Sequence, residues 1–462
     1  MKVASACALV LLSIAPSLAR ADPTGDAPGA QASDASSGRP VVLGPGRPEP
    51  SSASLRACSF RLPVCASGRP GDEPRLRAIL AQAEVSFALL RGPLRLPWPD
   101  RSLATGTFDL FLVDEPGEGS TVLDARDPRS PLDRASGHVR LPRALGLGCA
   151  LDSAVTRQVL RAALLRAAPG TDEGSAEAET EALLELMVPC APARSAAAHS
   201  TFQAHPERAL VDRIADRAGR FTRQEEPPFD DEPTRIYSRG AALFYRWLDR
   251  SYGTEPGAVL RGLWALRATK TPGDSPRWVN EPDAFEVLSR SFRDTLFEGS
   301  KFEDLLLDFA GSRARFGAPS EGGALAVMGQ IPKTRIEWEI PWPSSPRRLA
   351  PAWPLSPTGA GYMVVRTAGA PAGARLRLEA EWEEHARMRL MFLRLDASGR
   401  ELARVRIPAR ETATSAQISV VDLAGVDRVV FVALNTGDPA FQFDPDDVAF
   451  EPHGFMLTVG AE

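Results

Sequence analysis

From Thr334 to its end the chain alternates apolar and polar positions with a period of two. The runs are IEWEI, GYMVVRT, ARLRLEAEW, RMRLMFLRLD, ELARVRIP, AQISVVDL, DRVVFVALNT and GFMLTVG. Gly, Pro and Asp turns separate them at short intervals. This pattern predicts strands, and their number and spacing predict an antiparallel β-sandwich, jelly-roll-like. Upstream the period changes to 3–4. Helices are expected over 74–91, 151–168, 173–188, 206–220, 237–252, 256–268, 283–292 and 302–315. In the first, Leu76, Ile79, Leu80, Ala83, Phe87 and Leu90 form the apolar stripe. Strands are expected over 107–113 and 137–141, the second edge-like. Residues 193–203 read as a small-residue loop and 224–233 as an acidic one. The expected class is α+β: a mainly helical domain over 55–325, then the sandwich over 326–462.

Two segments at the start fit neither period. Lys2, the apolar run from Ala6 to Leu18 and Ala19-Arg20-Ala21 fit a secretory signal peptide over 1–21. Residues 22–54 are rich in Pro, Gly, Ser and Ala, so a disordered linker is expected there. Past the signal no stretch is long and apolar enough to cross a bilayer. The expected location is periplasmic or secreted. Four cysteines then remain: Cys58, Cys65, Cys149 and Cys190. An even count in an exported chain suggests two disulfides. Of the three possible pairings, Cys58–Cys65 and Cys149–Cys190 each bracket one compact segment. No Cys-x-x-Cys pair favours zinc.

Charge adds little. The basic residues are 50 Arg and only 4 Lys, which reads as the codon bias of a GC-rich bacterial genome. The formal net charge of -5 leaves no case for nucleic acid as a partner. No phosphate-binding glycine loop, GxSxG elbow or HExxH is present. The histidines are His138, His199, His205, His385 and His453, and no two stand at helical i, i+4 spacing. No cofactor and no metal are expected.

The order of elements and three short stretches resemble the gluzincin metallopeptidases, the thermolysin- and aminopeptidase-like zinc enzymes. The stretches are Thr156-Arg157-Gln158-Val159-Leu160-Arg161, Asp172-Glu173-Gly174-Ser175-Ala176-Glu177, and Tyr237-Ser238-Arg239-Gly240 leading to Gly253. The resemblance spans roughly 75–316. It implies that Arg157 and Arg161 stand where the family has its two zinc-binding histidines. Gln158 then stands at the general base, and Glu173 at the third ligand. Arg carries no lone pair for zinc at physiological pH, and Gln cannot act as a base. The resemblance therefore implies a zinc-free descendant of a peptidase fold. From the residues alone the same helices read as solvated, with the arginines in water and Glu173 and Glu177 favouring a helix N-terminus.

Other features invite binding. Asp444, Asp446 and Asp447, and separately Asp230, Asp231 and Glu232, are acidic clusters of the kind calcium uses, without EF-hand spacing. Trp338 and Trp382 fall within alternating strands and are expected in the core. Trp342, between two prolines, is the expected surface aromatic. The expected function is non-catalytic binding or scaffolding in the cell envelope, with an envelope protein or glycan as partner. The alternatives are a carbohydrate-binding accessory protein acting through the sandwich, or a hydrolase using carboxylates such as Glu173, Glu177 and Glu181.

Overall fold

The computed structural model of the 462-residue chain describes residues 39–40, 46–48, 54–127, 130–210, 232–268, 277–278, 282–294, 302–317, 331–384, 386–409, 413–437 and 452–462. The fold is α+β. The expected signal peptide, the acidic clusters at Asp230, Asp231 and at Asp444, Asp446, Asp447, and the expected boundary at 325–326 lie outside the described residues.

The first strands are β1 (Arg39–Pro40), β2 (Leu55–Cys58) and β3 (Val64–Gly68), followed by α1 (Glu73–Arg91). Then come β4 (Phe108–Val113), β5 (Ser120–Arg126) and β6 (Ala135–Pro142). One sheet has the order β2-β3-β4-β6-β5. Its three central strands run parallel, and both edges are antiparallel. Parallel neighbours need a crossover, which α1 supplies between β3 and β4. The predicted stripe of α1 is buried in full. The strand expected as edge-like is instead interior: β6 pairs with β4 on one side and β5 on the other. β2, β3 and β5 have no counterpart in the sequence reading, because their short, partly polar runs show no sustained alternation.

Of the expected linker over 22–54, only residues 39–40, 46–48 and 54 are described. β1 pairs with β7 (Arg277–Trp278). Arg47 bonds two carboxylates of the sheet, Asp109 and Asp124, the former only 3% exposed. His138, fully buried, holds the other oxygen of Asp124 at 2.6 Å. Composition cannot reveal such a strap, because a single guanidinium rather than apolar surface fixes it. Arg47→Ala is expected to lower stability by about 1–3 kcal/mol, since it takes the charged donor from two largely buried carboxylates; the Asp109 oxygen keeps Thr105, but the Asp124 oxygen loses its donor. Urea unfolding of the variant checks this, and an unchanged midpoint would remove the strap from the folded unit.

Next come α2 (Cys149–Ala167), α3 (Glu173–Met187), α4 (Ala191–Arg194) and α5 (Ala196–Ala204). The small-residue loop expected over 193–203 is therefore helical; its alanines favour helix and lack only an apolar stripe. α6 (Glu232–Gly240), α7 (Ala242–Tyr252) and α8 (Ala258–Leu266) follow. The single helix expected over 237–252 is broken at Ala241, whose N–H is shared between the Tyr237 and Ser238 carbonyls. Gly240 lies so close to α5 that a Cβ would collide with the Ala198 carbonyl and the Phe202 side chain. α9 (Ala284–Asp294) and α10 (Phe302–Arg313) complete the helices.

The final nine strands are β8 (Trp338–Ile340), β9 (Arg347–Leu349), β10 (Ala360–Arg366), β11 (Leu376–Trp382), β12 (Met388–Leu395), β13 (Glu401–Ile407), β14 (Ser415–Val420), β15 (Arg428–Asn435) and β16 (Phe455–Ala461). They form two sheets, β13-β12-β15-β10-β8 and β14-β11-β16-β9. Met363, Val365, Phe392 and Phe431 of the first share a core with Leu376, Leu378, Leu457 and Val459 of the second. The alternate residues of the first sheet, Tyr362, Val364, Leu393 and Val432, join the core of the helical part. The Tyr362 hydroxyl donates to the Ala310 carbonyl of α10 at 3.0 Å. The five-stranded sheet is thus buried on both faces, which explains the near-continuous apolar runs of β10, β12 and β15.

Trp382 is buried as expected, but Trp338 is not: it is 46% exposed on the short edge strand β8, its indole donating to the Ala350 carbonyl. Trp353 is 58% exposed, whereas Trp342 packs half-buried against the sandwich core. Disulfides join Cys58 to Cys65, directly paired across β2 and β3, and Cys149 to Cys190. No helix among the described residues is long and apolar enough to cross a membrane.

Candidate functional site

The helix pair α2 and α3 carries the site. Pro169 and Gly170 sit in the short turn between them. Asp172 then caps α3, accepting from the Ser175 N–H at 2.7 Å, the usual way of satisfying a first-turn donor. Cys149 opens α2 and Cys190 follows α3, so their disulfide closes the free ends of the pair. With the register set at both ends, Glu173, Glu177 and Glu181 share one stripe of α3 at i, i+4 and i+8. Arg157 and Arg161 share one stripe of α2 at i, i+4.

The two stripes meet. Arg161 pairs with Glu173. Arg157 donates to Glu181 at 2.5 Å and to Glu118, which precedes β5, at 2.5 Å. Arg239 of α6 donates to Glu177 at 2.8 Å and to Glu118 at 2.7 Å. Ser195 donates to the second oxygen of Glu181 at 2.5 Å, and Arg194 lies 3.9 Å from Glu118. These four guanidiniums match four carboxylates, and Arg235 adds its charge beside Glu118. Gln158 ties the start of β5 to α2: its amide donates to the Gly119 carbonyl at 3.1 Å and accepts from the Thr121 hydroxyl at 2.8 Å.

The solvated reading of these helices fails. Arg157 and Glu177 are 8% exposed and Glu181 is 2% exposed. Two further glutamates of α3 are buried on its other sides. Glu179 pairs with Arg267 at 2.5 Å, and Glu185 lies 2.8 Å from His199. An Ala/Glu-rich helix looks solvent-facing until its partners are known, and the partners come from distant segments. Of the positions singled out by the resemblance, Arg157, Arg161 and Glu173 are brought together in one cluster, while Gln158 turns to the start of β5. Glu118 and Arg239 complete the cluster from 39 residues before and 62 residues after their partners, with no local pattern to reveal them.

Burial pushes the Glu177 carboxyl up, but Arg239, Arg161 and Arg157 outweigh it and hold it down at about 2. Burial acts the same way on Glu118, and Arg157 with Arg239 holds it below the usual range. Burial lowers Arg239 and Arg161, yet their carboxylate partners leave both raised. A general acid or base works best with a pKa near the operating pH, and Glu177 is far from it. Its folded value lies below its unfolded one, so its stabilisation is full above about pH 4.5. That stabilisation disappears as pH falls through about 2. About 3 kcal/mol is expected to be lost across that window. Denaturant titrations from pH 5 to pH 2 on wild type and Glu177→Gln measure it; equal slopes in the two proteins would contradict it.

A zinc ion does not fit these residues. Two of the positions that would hold it carry guanidinium cations, and the third position's Glu173 is neutralised by Arg161. Among the described residues no group of three or more His, Cys, Asp or Glu could hold a metal. Two cavities, of about 570 and 200 Å³, lie elsewhere, by the C-terminal end of α2.

No family model matches the chain, and no curated protein matches it at a significant level. Solved structures that match include the pre-peptidase C-terminal domain of collagenase from Bacillus anthracis. It is 7% identical, covers 28% of this chain and 100% of its own, and has a TM-score of 0.18. At that score it bears on neither the fold nor the function of this chain.

Proposed function

We propose that the chain is an exported, non-catalytic binding or scaffolding protein of the bacterial cell envelope, built on a gluzincin-like helical domain that has lost its zinc chemistry. One observation carries this reading. At the helix-pair positions where the resemblance puts metal ligands, Arg157 and Arg161 are each ion-paired to carboxylates of α3. The guanidiniums at these positions are closed on neighbouring carboxylates and offer nothing to a dication. The hydrolase alternative is weakened by the same pairs, because Glu173, Glu177 and Glu181 all face guanidiniums. Two disulfides support export, since such bonds persist in oxidising compartments. The strand order of the two final sheets supports a jelly-roll reading of the sandwich.

The test is hydrolysis of casein and of a mixed peptide library, with and without chelator. No cleavage above a heat-inactivated control is expected, and chelator-sensitive cleavage would overturn the proposal. A second reading, glycan binding through the sandwich, is favoured by the exposure of Trp338 and Trp353, since exposed rings can stack on sugars or grip a partner. Trp342, half-buried, is less suited to that role.

A further inference from the structure

The smaller of the two cavities, about 200 Å³, lies between the C-terminal ends of α2 and α8 and the segment that follows α1. Arg95, Arg134, Arg166 and Arg261 line it, with Leu96 and Trp264 among the apolar walls. Two of the guanidiniums are fixed by backbone carbonyls of the 94–98 segment. Arg261 donates to the Leu94 carbonyl at 3.2 Å, and Arg166 to the Trp98 carbonyl at 3.0 Å. Each has one carboxylate partner, Glu255 at 2.8 Å and Asp100 at 3.1 Å respectively. A guanidinium offers five N–H donors in a rigid fork, so both have donors left over. Arg95, at 3.7 Å, shares Glu255 with Arg261. It also holds a φ of +52°, a left-handed conformation that costs a non-glycine residue about 1–2 kcal/mol.

Arg134 is the odd member. It is half-buried, yet its side chain makes no hydrogen bond or ion pair among the described residues; Asp100 feels its charge at longer range. Four guanidiniums face the carboxylates of Asp100 and Glu255, with Asp127 close to Asp100, so positive charge is in excess around a mostly apolar space. Such an arrangement is unfavourable empty and favourable filled. Backbone carbonyls at the helix ends offset part of the charge, but they give Arg134 no partner. Guanidinium forks match planar carboxylates, and apolar walls match a hydrocarbon body. Single unburdened cations are common on surfaces; a half-buried one beside three others, lining an open pocket with apolar walls, is not explained by packing.

We propose that this cavity binds a small organic monocarboxylate: its carboxylate on Arg134 and the leftover donors of Arg166 and Arg261, its apolar body against Leu96 and Trp264. The site is separate from the Arg–Glu cluster of α2 and α3, and the proposal stands whether or not the chain is non-catalytic. The probe is benzoate, with benzamide as its neutral isostere and inorganic phosphate as an anion without a body. Calorimetric titration and melting curves are run on the full chain and on Arg134→Gln. Benzoate is expected to bind and to raise the melting temperature, and benzamide to do neither. Arg134→Gln is expected to weaken benzoate at least about tenfold. Its own melting temperature should be unchanged or raised, because Arg134 has no hydrogen-bond or ion-pair partner among the described residues to lose. Equal binding of benzamide, unchanged affinity in the variant, or no benzoate binding at tens of millimolar would overturn the proposal. Phosphate binding tighter than benzoate would overturn the choice of a carboxylate.

Discussion

Glu179→Ala is expected to lower folding stability by about 3–5 kcal/mol, because it strands a buried guanidinium. Glu179 is fully buried, and the Arg267 side chain is 2% exposed. The carboxylate accepts from Arg267 at 2.5 Å and from the Trp264 indole at 2.8 Å. Removing it leaves two buried donors unmet and one buried charge uncompensated. The ion pair itself is not what makes the loss large. Taking both charges out of water offsets most of their attraction, so an apolar pair of similar volume should hold the helices nearly as well. Glu179→Met combined with Arg267→Leu is therefore expected to recover most of what the single variant loses. Urea midpoints on the two variants decide the matter. A loss below about 1 kcal/mol in Glu179→Ala would mean that water reaches Arg267 and that α3 packs less tightly than described.

The second large effect is loss of the Cys149–Cys190 disulfide. The two cysteines are 41 residues apart, and the chain-entropy relation gives about 4 kcal/mol for a loop of that length. The Cys58–Cys65 bridge spans 7 residues, for which the same relation gives about 2 kcal/mol. Replacing each pair by alanines and comparing denaturation midpoints should therefore rank the first bridge above the second. The longer bridge also ties the open ends of α2 and α3. Its removal should loosen the register that sets Arg157 against Glu181 and Arg161 against Glu173. Hydrogen exchange of the α3 amides in the alanine variant should rise more than that of the sandwich strands. If the shorter bridge proves the more stabilising, native contacts rather than loop closure dominate both.

The sandwich was legible because strand periodicity survives wherever a sheet has a buried face. All eight alternating runs correspond to strands, and β9 escaped notice because Arg347–Leu349 is too short to show a period. Burial on both faces did not hide β10, β12 or β15, since Gly, Pro and Asp turns bounded each run. The first sheet was harder to see. β2 and β3 owe their pairing partly to a disulfide, and β5 reads STVLDAR, whose charged positions lie along a sheet edge. The helices α4 and α5 are Ala-rich, α6 approaches α5 closely at Gly240, and small residues leave no stripe to read. The site was half legible. The resemblance singled out Arg157, Arg161 and Glu173, and Glu177 and Glu181 were legible on the same helix as Glu173. Their burial was not foreseeable, because Glu118 and Arg239 reach them through tertiary folding alone. Trp338 misled because alternation says which residues share a face and not whether anything covers it.

Elemental analysis of the full chain, purified without chelators and exposed to zinc, is the most direct test of the claim that Arg157 and Arg161 close the metal position of this helix pair. The account predicts no stoichiometric zinc, since on the proposed resemblance two guanidinium cations stand where the ligands would be, and Glu173 already serves Arg161. Stoichiometric zinc lost on Glu173→Ala would contradict it.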